Sequence, residues 1–524
     1  MCSLLFLLFL LLPLAAQSAN ILGLFTATSP SHLIIHVEMM RTLAERGHNV
    51  TILTMVPPPT PVPHGIQHLL VPMKDAYKDE LRAAMDQLSK QKYYPISFFR
   101  IYGVVALLAR IQEDILNDAR FRDLYENPHN KFDLMFLGYY LNLAQLGVAA
   151  KFNCPVIMNW VGGPIAQIDS LSGNPSEISY VPSSYDPIQP GEVMGFSKRL
   201  HTFLKHWYNS FLERIVEAKM KQQYNRIFRN ETDFPCFSCA KRRISLFFSN
   251  YHSPSEGPIR PLVPAYIEVG GLQIKEQPGE LPLDLANFLN TAENGVILFS
   301  LGTNFKNSFM TPKTVRTLYE AFSQLKQRVI WKWENLDSTP GNASNILYKK
   351  WLPQSDILAH PKLKLFITHA GKGGIAEAQY HGVPMLAFPI FGDQPGNAAN
   401  MVRSGFGLSL HLQELNAIEL QNTLKELLEN NKYERAVKQY SKIYRDRPMT
   451  ARQLVVYWTE YVLRHKGAYH LQSPWLRMSF VERNNLDVLA LIIVLLCSLM
   501  WIIKKLVLFI RVTLKKPTKK CKTN

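Results

Sequence analysis

Residues 366–382 read FITHAGKGGIAEAQYHG: an apolar run ends at His369, three glycines fall within four positions, and helical spacing follows. Small residues after a strand let a ligand approach the backbone. The helix behind them offers unpaired N–H groups and the positive end of its dipole. That is anion-binding chemistry, with His369 placed to donate where the strand ends. Tight packing also produces glycine-rich turns, so spacing alone leaves both readings open. The turn is neither a G-x-x-x-x-G-K-[ST] loop nor a G-x-G-x-x-G turn. Far upstream, residues 29–36 read SPSHLIIH. His32 follows a short apolar run, where the carboxyl end of a first strand would lie. An imidazole titrating near neutrality suits proton removal there. Helix capping or packing is the plainer role, and it is the one expected of His36, one turn on.

The elements that would position these groups come in two similar sets. ILGLFT, then LIIHVEMMRTLAERG, then HNVTILTMV read as strand, helix and strand, with ATSPSH as the loop. This is a βαβ unit with a right-handed crossover and a parallel sheet. KFDLMFLG and CPVIMNW continue the style. The stretch from about residue 264 to 283 is rich in Gly and Pro, lacks helical period and reads as a linker. Beyond it GVILFSLGT, PKTVRTLYEAFSQL and RVIWKWE, then KLFITHAG, GIAEAQYHG and VPMLAFPIF, repeat the wiring. The expected fold is α/β: two Rossmann-like doubly wound domains whose strand carboxyl ends face a cleft. Residues 57–125 and 163–242 read only as helices and loops.

The 524 residues exceed what one core organises. The formal charge is +17, yet the last 21 residues hold eight Lys or Arg and no acid. A charge excess so local argues against a nucleic-acid groove and for a membrane-flanking tail. Residues 1–18 read as a secretory signal peptide, although without a basic start. Residues 486–510 read as a transmembrane segment, and 511–524 as a cytosolic basic tail with lysines three and five places from its end. Positive-inside then puts the body in the lumen, and the tail resembles a dilysine retrieval signal for the endoplasmic reticulum. The domains follow as 19–264, a linker 265–283, and 284–470. Cys236 and Cys239 lack the second pair a closed zinc site needs and read as a local disulfide or two free thiols. Asn49, Asn230 and Asn342 are glycosylation sequons.

Trp351-Leu352-Pro353-Gln354, Asp356, His360-Pro361, Thr368-His369, Gly371, Glu377, Gly382, Pro384, Pro389 and Asp393-Gln394 together resemble the signature of the membrane-anchored UDP-glycosyltransferases. The chain is similar to an invertebrate member of that family, in the GT-B arrangement. The resemblance implies inverting transfer of a hexose from a UDP-sugar to a small lipophilic acceptor. The UDP-sugar is a co-substrate, and neither a cofactor nor a metal is expected. It also implies roles. Trp351 would stack on uracil, Gln354 would fix the base, and Glu377 would accept from the ribose hydroxyls. His369, Gly371, Gly373 and Gly374 would meet the diphosphate, as would Gly302 and Thr303 across the domain. Asp393 and Gln394 would hold sugar hydroxyls, and His32 would be the catalytic base.

The chain departs from the family pattern in places. Ala370, Gly373 and Gly374 stand where members carry Gly and then Asn or Ser, which leaves backbone contacts there. The family pairs its base with an Asp closing a strand of the form FDxxxxD, and here that position is Gly138. Asp133 opens the same strand, roughly 20 Å away at the usual rise, so only Tyr139, Tyr140 or Asn142 remain to bond His32. Ser249 stands where members using UDP-glucuronate carry an Arg, which favours UDP-glucose. The missing Asp keeps a second reading open, a UDP-sugar-binding protein with little turnover. An epimerase of the same plan fits the signal and anchor poorly. The sequence leaves homo-oligomer formation open.

Overall fold

The computed structural model describes residues 18–89, 98–183, 186–188, 191–228 and 234–514. The signal-peptide reading for 1–17, the sequon at Asn230 and the tail beyond 514 lie outside them. The chain divides into two compact units, Met1–Gln472 and Ser473–Asn524.

The first unit holds two parallel sheets. One comprises β1 (Asn20–Phe25), β2 (Asn49–Thr54), β3 (Ile66–Leu70), β4 (Leu134–Gly138), β5 (Val156–Trp160), β6 (Ile244–Ser249) and β7 (Tyr266–Glu268), ordered 3-2-1-4-5-6-7. The other comprises β8 (Val296–Ser300), β9 (Arg328–Lys332), β10 (Ile346–Lys349), β11 (Leu363–Thr368), β12 (Met385–Ala387) and β13 (Gly407–Ser409), ordered 10-9-8-11-12-13. Both reverse direction in strand order beside their first strand, and there the loops part to leave a crevice. The central strands β4 (LMFLG) and β8 (VILFS) are buried at every residue, because helices cover both faces. Each large side chain so buried contributes roughly 1.5–3 kcal/mol.

Three boundaries differ from the sequence reading. The first helix is Pro30–Glu45, so His32 lies in its first turn rather than in a loop. Pro30 fits there because its fixed φ suits a helix start and no partner is needed for its missing N–H. Within the expected linker, Tyr266–Glu268 forms β7 and pairs with Phe247, Phe248 and Ser249. Gly270 follows at close quarters, since a Cβ there would meet the Tyr251 carbonyl carbon at 2.5 Å. Finally, helix Ala451–Arg464 falls in the stretch assigned to the second domain but packs on the first sheet. Its Val455 and Val462 join the core of Ile21, Phe25, Met39 and Leu43, and Arg452 pairs with Glu38 at 2.7 Å.

The unread stretches contain helices Asp75–Ser89, Phe98–Asn117, Ala119–Glu126 and Phe196–Phe228. On the last, Phe196, Leu200, Phe203, Leu204, Trp207 and Phe211 stand exposed at helical spacing. Cys236 and Cys239 form a disulfide. The second unit carries one long helix, Leu486–Leu514, of 29 residues, with its apolar side chains exposed. At 1.5 Å per residue it is about 43 Å long, more than a bilayer core requires.

Candidate functional site

His369 directly follows β11 and enters the glycine-rich turn. Its ring lies between two glycines for a steric reason: a Cβ on Gly302 would meet Cε1 at 2.5 Å, and one on Gly371 would meet Nε2 at 2.4 Å. Gly302 also holds φ +82°, which favours glycine. The helix Lys372–His381 begins at once, with Gly371 as its N-cap and the Lys372 N–H donating to Asp393. Gly373 and Gly374 therefore lie inside its first turn, not ahead of it, and their N–H groups stay available. Asn397 Nδ2 donates to the Ala370 carbonyl at 3.1 Å and holds the turn.

A buried cation backs this turn. Lys332, the last residue of β9, donates from Nζ to the Gly302 carbonyl. Burial draws its ammonium below the usual range, with Glu334 opposing. Burial, and then Lys332, hold His369 down to about 4, so its imidazole is neutral. Thr303 Oγ1, Thr368 Oγ1 and His369 Nδ1 are buried without hydrogen-bond partners. Unsatisfied groups of this kind are unusual, and all three belong to the loops that follow β8 and β11 or to the strand end between them.

Glu377, expected at the nucleoside, lies one turn further along the helix. Trp351 is 43% exposed, its ring free to stack. Gln354 Nε2 donates to Glu377 Oε2 at 2.6 Å, so the two expected nucleoside contacts are bonded to each other. Burial raises Glu377 to about 7, with Gln354 opposing. Asp356 instead serves structure: it pairs with Lys275 at 3.1 Å and accepts from Gly279 N–H at 2.7 Å. Asp393 accepts from Asn397 Nδ2 at 2.7 Å. Gln394 directs its carbonyl inward to Ile390 and Phe391 N–H, at 2.8 and 3.0 Å. Only its amide group remains for a ligand.

His32 stands at the carboxyl end of β1, edge-on to Tyr140 and Trp160, with ring centroids at 5.8 and 6.4 Å. Burial pulls its pKa to about 4, which leaves it neutral and able to accept a proton. Its Nδ1 is buried with no partner. None of the three expected polar neighbours bonds it among the described residues, and the Tyr139 ring lies edge-on to Trp160 at 6.0 Å. The Tyr140 hydroxyl bonds Thr28 Oγ1 at 2.6 Å. Asn142 donates to Thr26 Oγ1 and the Gly138 carbonyl, at 3.1 and 3.0 Å. Asp133 accepts from Asn20 N–H at 2.8 Å, at the far end of the sheet. The space beside Gly138 is filled by His36. A Cβ on Gly138 would meet His36 Nε2 at 2.8 Å. The His36 ring stacks on Phe25 at 4.3 Å and bonds Asn159 at 2.8 Å.

The two walls touch through contacts that sequence reasoning missed. Asn304 Nδ2 donates to Ser29 Oγ at 2.9 Å, joining the loop after β8 to the start of the His32 helix. Gln379 Nε2 donates to the Ser255 carbonyl at 2.9 Å. Lys372, at the first position of the glycine-rich helix, pairs with Glu256 on the other wall. The Lys was visible in AGKGG; nothing local marked its partner. Of the sequons, Asn342 is exposed in a loop, whereas Asn49 opens β2 and donates to Asn20 Oδ1 at 3.1 Å.

Two facing doubly wound sheets, an anion turn on one and an unpaired imidazole on the other, define a sugar-nucleotide glycosyltransferase of the GT-B class. Residues 22–522 match the family model described as UDP-glucoronosyl and UDP-glucosyl transferase. The chain is 34% identical to the UDP-glycosyltransferase UGT5 of Dactylopius coccus, covering 93% of this chain and 91% of that protein. It is 29% identical to the UDP-glucuronosyltransferase 1A6 of Mus musculus, covering 93% and 91%. Among solved structures, glycosyltransferase VinC in complex with DTDP superposes with TM-score 0.56 at 16% identity, covering 86% of this chain and all of that one, which supports the fold. The chain belongs to the UDP-glucuronosyl and UDP-glucosyl transferase family, and is a glycosyltransferase that uses a UDP-sugar.

Proposed function

We propose that the enzyme inverts configuration while moving glucose from UDP-glucose to a hydroxyl of a small lipophilic acceptor, with His32 as base. The observation that carries this reading is the Ser29–Asn304 hydrogen bond at 2.9 Å, which ties the His32 helix to the loop of Gly302 and Thr303. His32 takes the acceptor proton as the oxygen bonds the anomeric carbon. The bond to UDP breaks on the opposite face. Negative charge passes to the diphosphate, where His369, the open helix terminus and Lys332 offset it. Trp351 flanks the uracil, Gln354 and Glu377 separate to take the nucleoside, and Asp393 accepts from the sugar. Glucose is favoured because Ser249, buried at the end of β6, offers a sugar carboxylate no charge. The long helix spans the endoplasmic reticulum membrane once, with the body luminal. Lys504, Lys505 and Arg511 beside or within its last turns support that orientation.

The test is UDP release from UDP-glucose by the microsomal protein over a panel of phenols and alcohols. Acceptor-dependent release is expected, and His32→Ala should lower it by roughly 10²–10⁴-fold. The unpartnered His32 Nδ1 favours one alternative, a UDP-sugar-binding protein with little turnover. Retained UDP-glucose binding with no release across the panel would establish it.

A further inference from the structure

Lys372 opens the glycine-rich helix, where N–H groups already present positive partial charge and a cation is disfavoured. Its side chain is also only 14% exposed. Burial draws the ammonium below its usual range, with Asp393 opposing. The Glu256 carboxylate is in direct contact with the ammonium, and the Tyr251 ring lies 4.3 Å from it. Glu256 closes the helix Ser253–Glu256 on the opposite wall and is 3% exposed. Apart from Lys372, its oxygens have no hydrogen-bond partner among the described residues. A buried carboxylate has about four lone-pair sites to satisfy, and one ion pair leaves most of them open. Both oxygens are closed off from solvent here, so a donor reaches them only by parting the two walls.

The helix itself orders the donor. Glu377, at the nucleoside end, lies five residues beyond Lys372, about 7 Å along the axis at the helical rise. Lys372 lies within the glycine-rich turn, between Gly371 and Gly373, and its backbone N–H donates to Asp393, the expected sugar contact.

We propose that Lys372 and Glu256 form a charge-selecting subsite at the sugar end of the donor site, one that accepts a neutral hexose and rejects a uronic acid. The inference rests on the reading of Asp393 as a sugar contact. A hexose hydroxyl donates to Glu256 and accepts from Lys372. A sugar carboxylate would face Glu256 as a second anion, while the charge of Lys372 is already matched. Like charges at such range in a desolvated cleft are strongly unfavourable.

Competition of UDP-glucose and UDP-glucuronate against a fluorescent UDP analogue, on the detergent-solubilised full chain, reads the subsite without any acceptor. Glu256→Gln removes the anion that a sugar carboxylate would face while keeping the side chain's size. The affinity ratio should move toward UDP-glucuronate by about tenfold or more, the scale of one close unit charge. The ratio is decisive because general loosening of the turn weakens both donors alike. Should that variant fail to fold, Lys372→Glu combined with Glu256→Lys keeps an ion pair while moving the anion. A subsite changes the ratio by a similar factor, whereas a merely structural bridge keeps the wild-type ratio. A wild type preferring UDP-glucose, with the ratio unmoved in both variants, overturns the inference and leaves the glucose reading standing. A wild type preferring UDP-glucuronate overturns both the glucose reading and the inference.

Discussion

Ala370 holds φ +62°, a left-handed conformation in which its Cβ crowds the carbonyl. Such a placement costs roughly 1–2 kcal/mol, and the bond from Asn397 to its carbonyl helps to keep it there. Ala370→Gly should therefore raise stability by about 1 kcal/mol, read as a higher denaturant midpoint at unchanged slope. Glu377 makes a second prediction. Its pKa is raised to about 7 by burial, so the carboxylate form grows as pH rises through that value. An ionised carboxylate accepts more strongly from ribose hydroxyls. UDP affinity should accordingly increase between about pH 6 and pH 8, and Glu377→Gln should flatten that dependence in a titration of UDP binding.

At the scale of elements, β4 and the His32 helix explain why the usual orienting carboxylate is missing. Gly138 is compact because the His36 ring, held by Phe25 and Asn159, already fills the space a side chain would need. Gly138→Asp alone should lower stability by about 1–3 kcal/mol through overpacking, seen in thermal unfolding, and should leave turnover unimproved. Combined with His36→Ala, which removes the ring, the same substitution should recover stability and raise acceptor-dependent UDP release. The βαβ order of both halves was legible because apolar runs of strand length alternate with helical spacing. The start of the first helix was not, since SPSH is equally good loop chemistry until Leu33 and Ile35 find a core to enter. The strand Tyr266–Glu268 was hidden for a related reason: three residues carry too little pattern, and pairing with β6 supplies what they lack.

For the whole molecule, the return of helix Ala451–Arg464 to the first sheet matters most. It makes the two halves one unit ending at Gln472. Truncation after Gln472 should therefore leave a body that binds UDP and moves from the membrane to the aqueous fraction on sedimentation. A truncation before Ala451 should instead unfold, because the first sheet would expose the core that Val455 and Val462 cover. If the longer body stays with membranes, the exposed row from Phe196 to Phe211 becomes its second lipid contact.

The sequence alone determined the two βαβ sets, the apolar span, the glycine-rich turn and the family, because each rests on local spacing or an ordered motif. Tertiary structure decided what faces what. It placed His36 where a carboxylate would stand, bonded Gln354 to Glu377, joined Ser29 to Asn304 and set Glu256 against Lys372. Those last two pairs are separated in the chain by 275 and 116 positions. No local periodicity encodes such contacts, since they exist only once both sheets have folded and the cleft between them has closed around its polar groups.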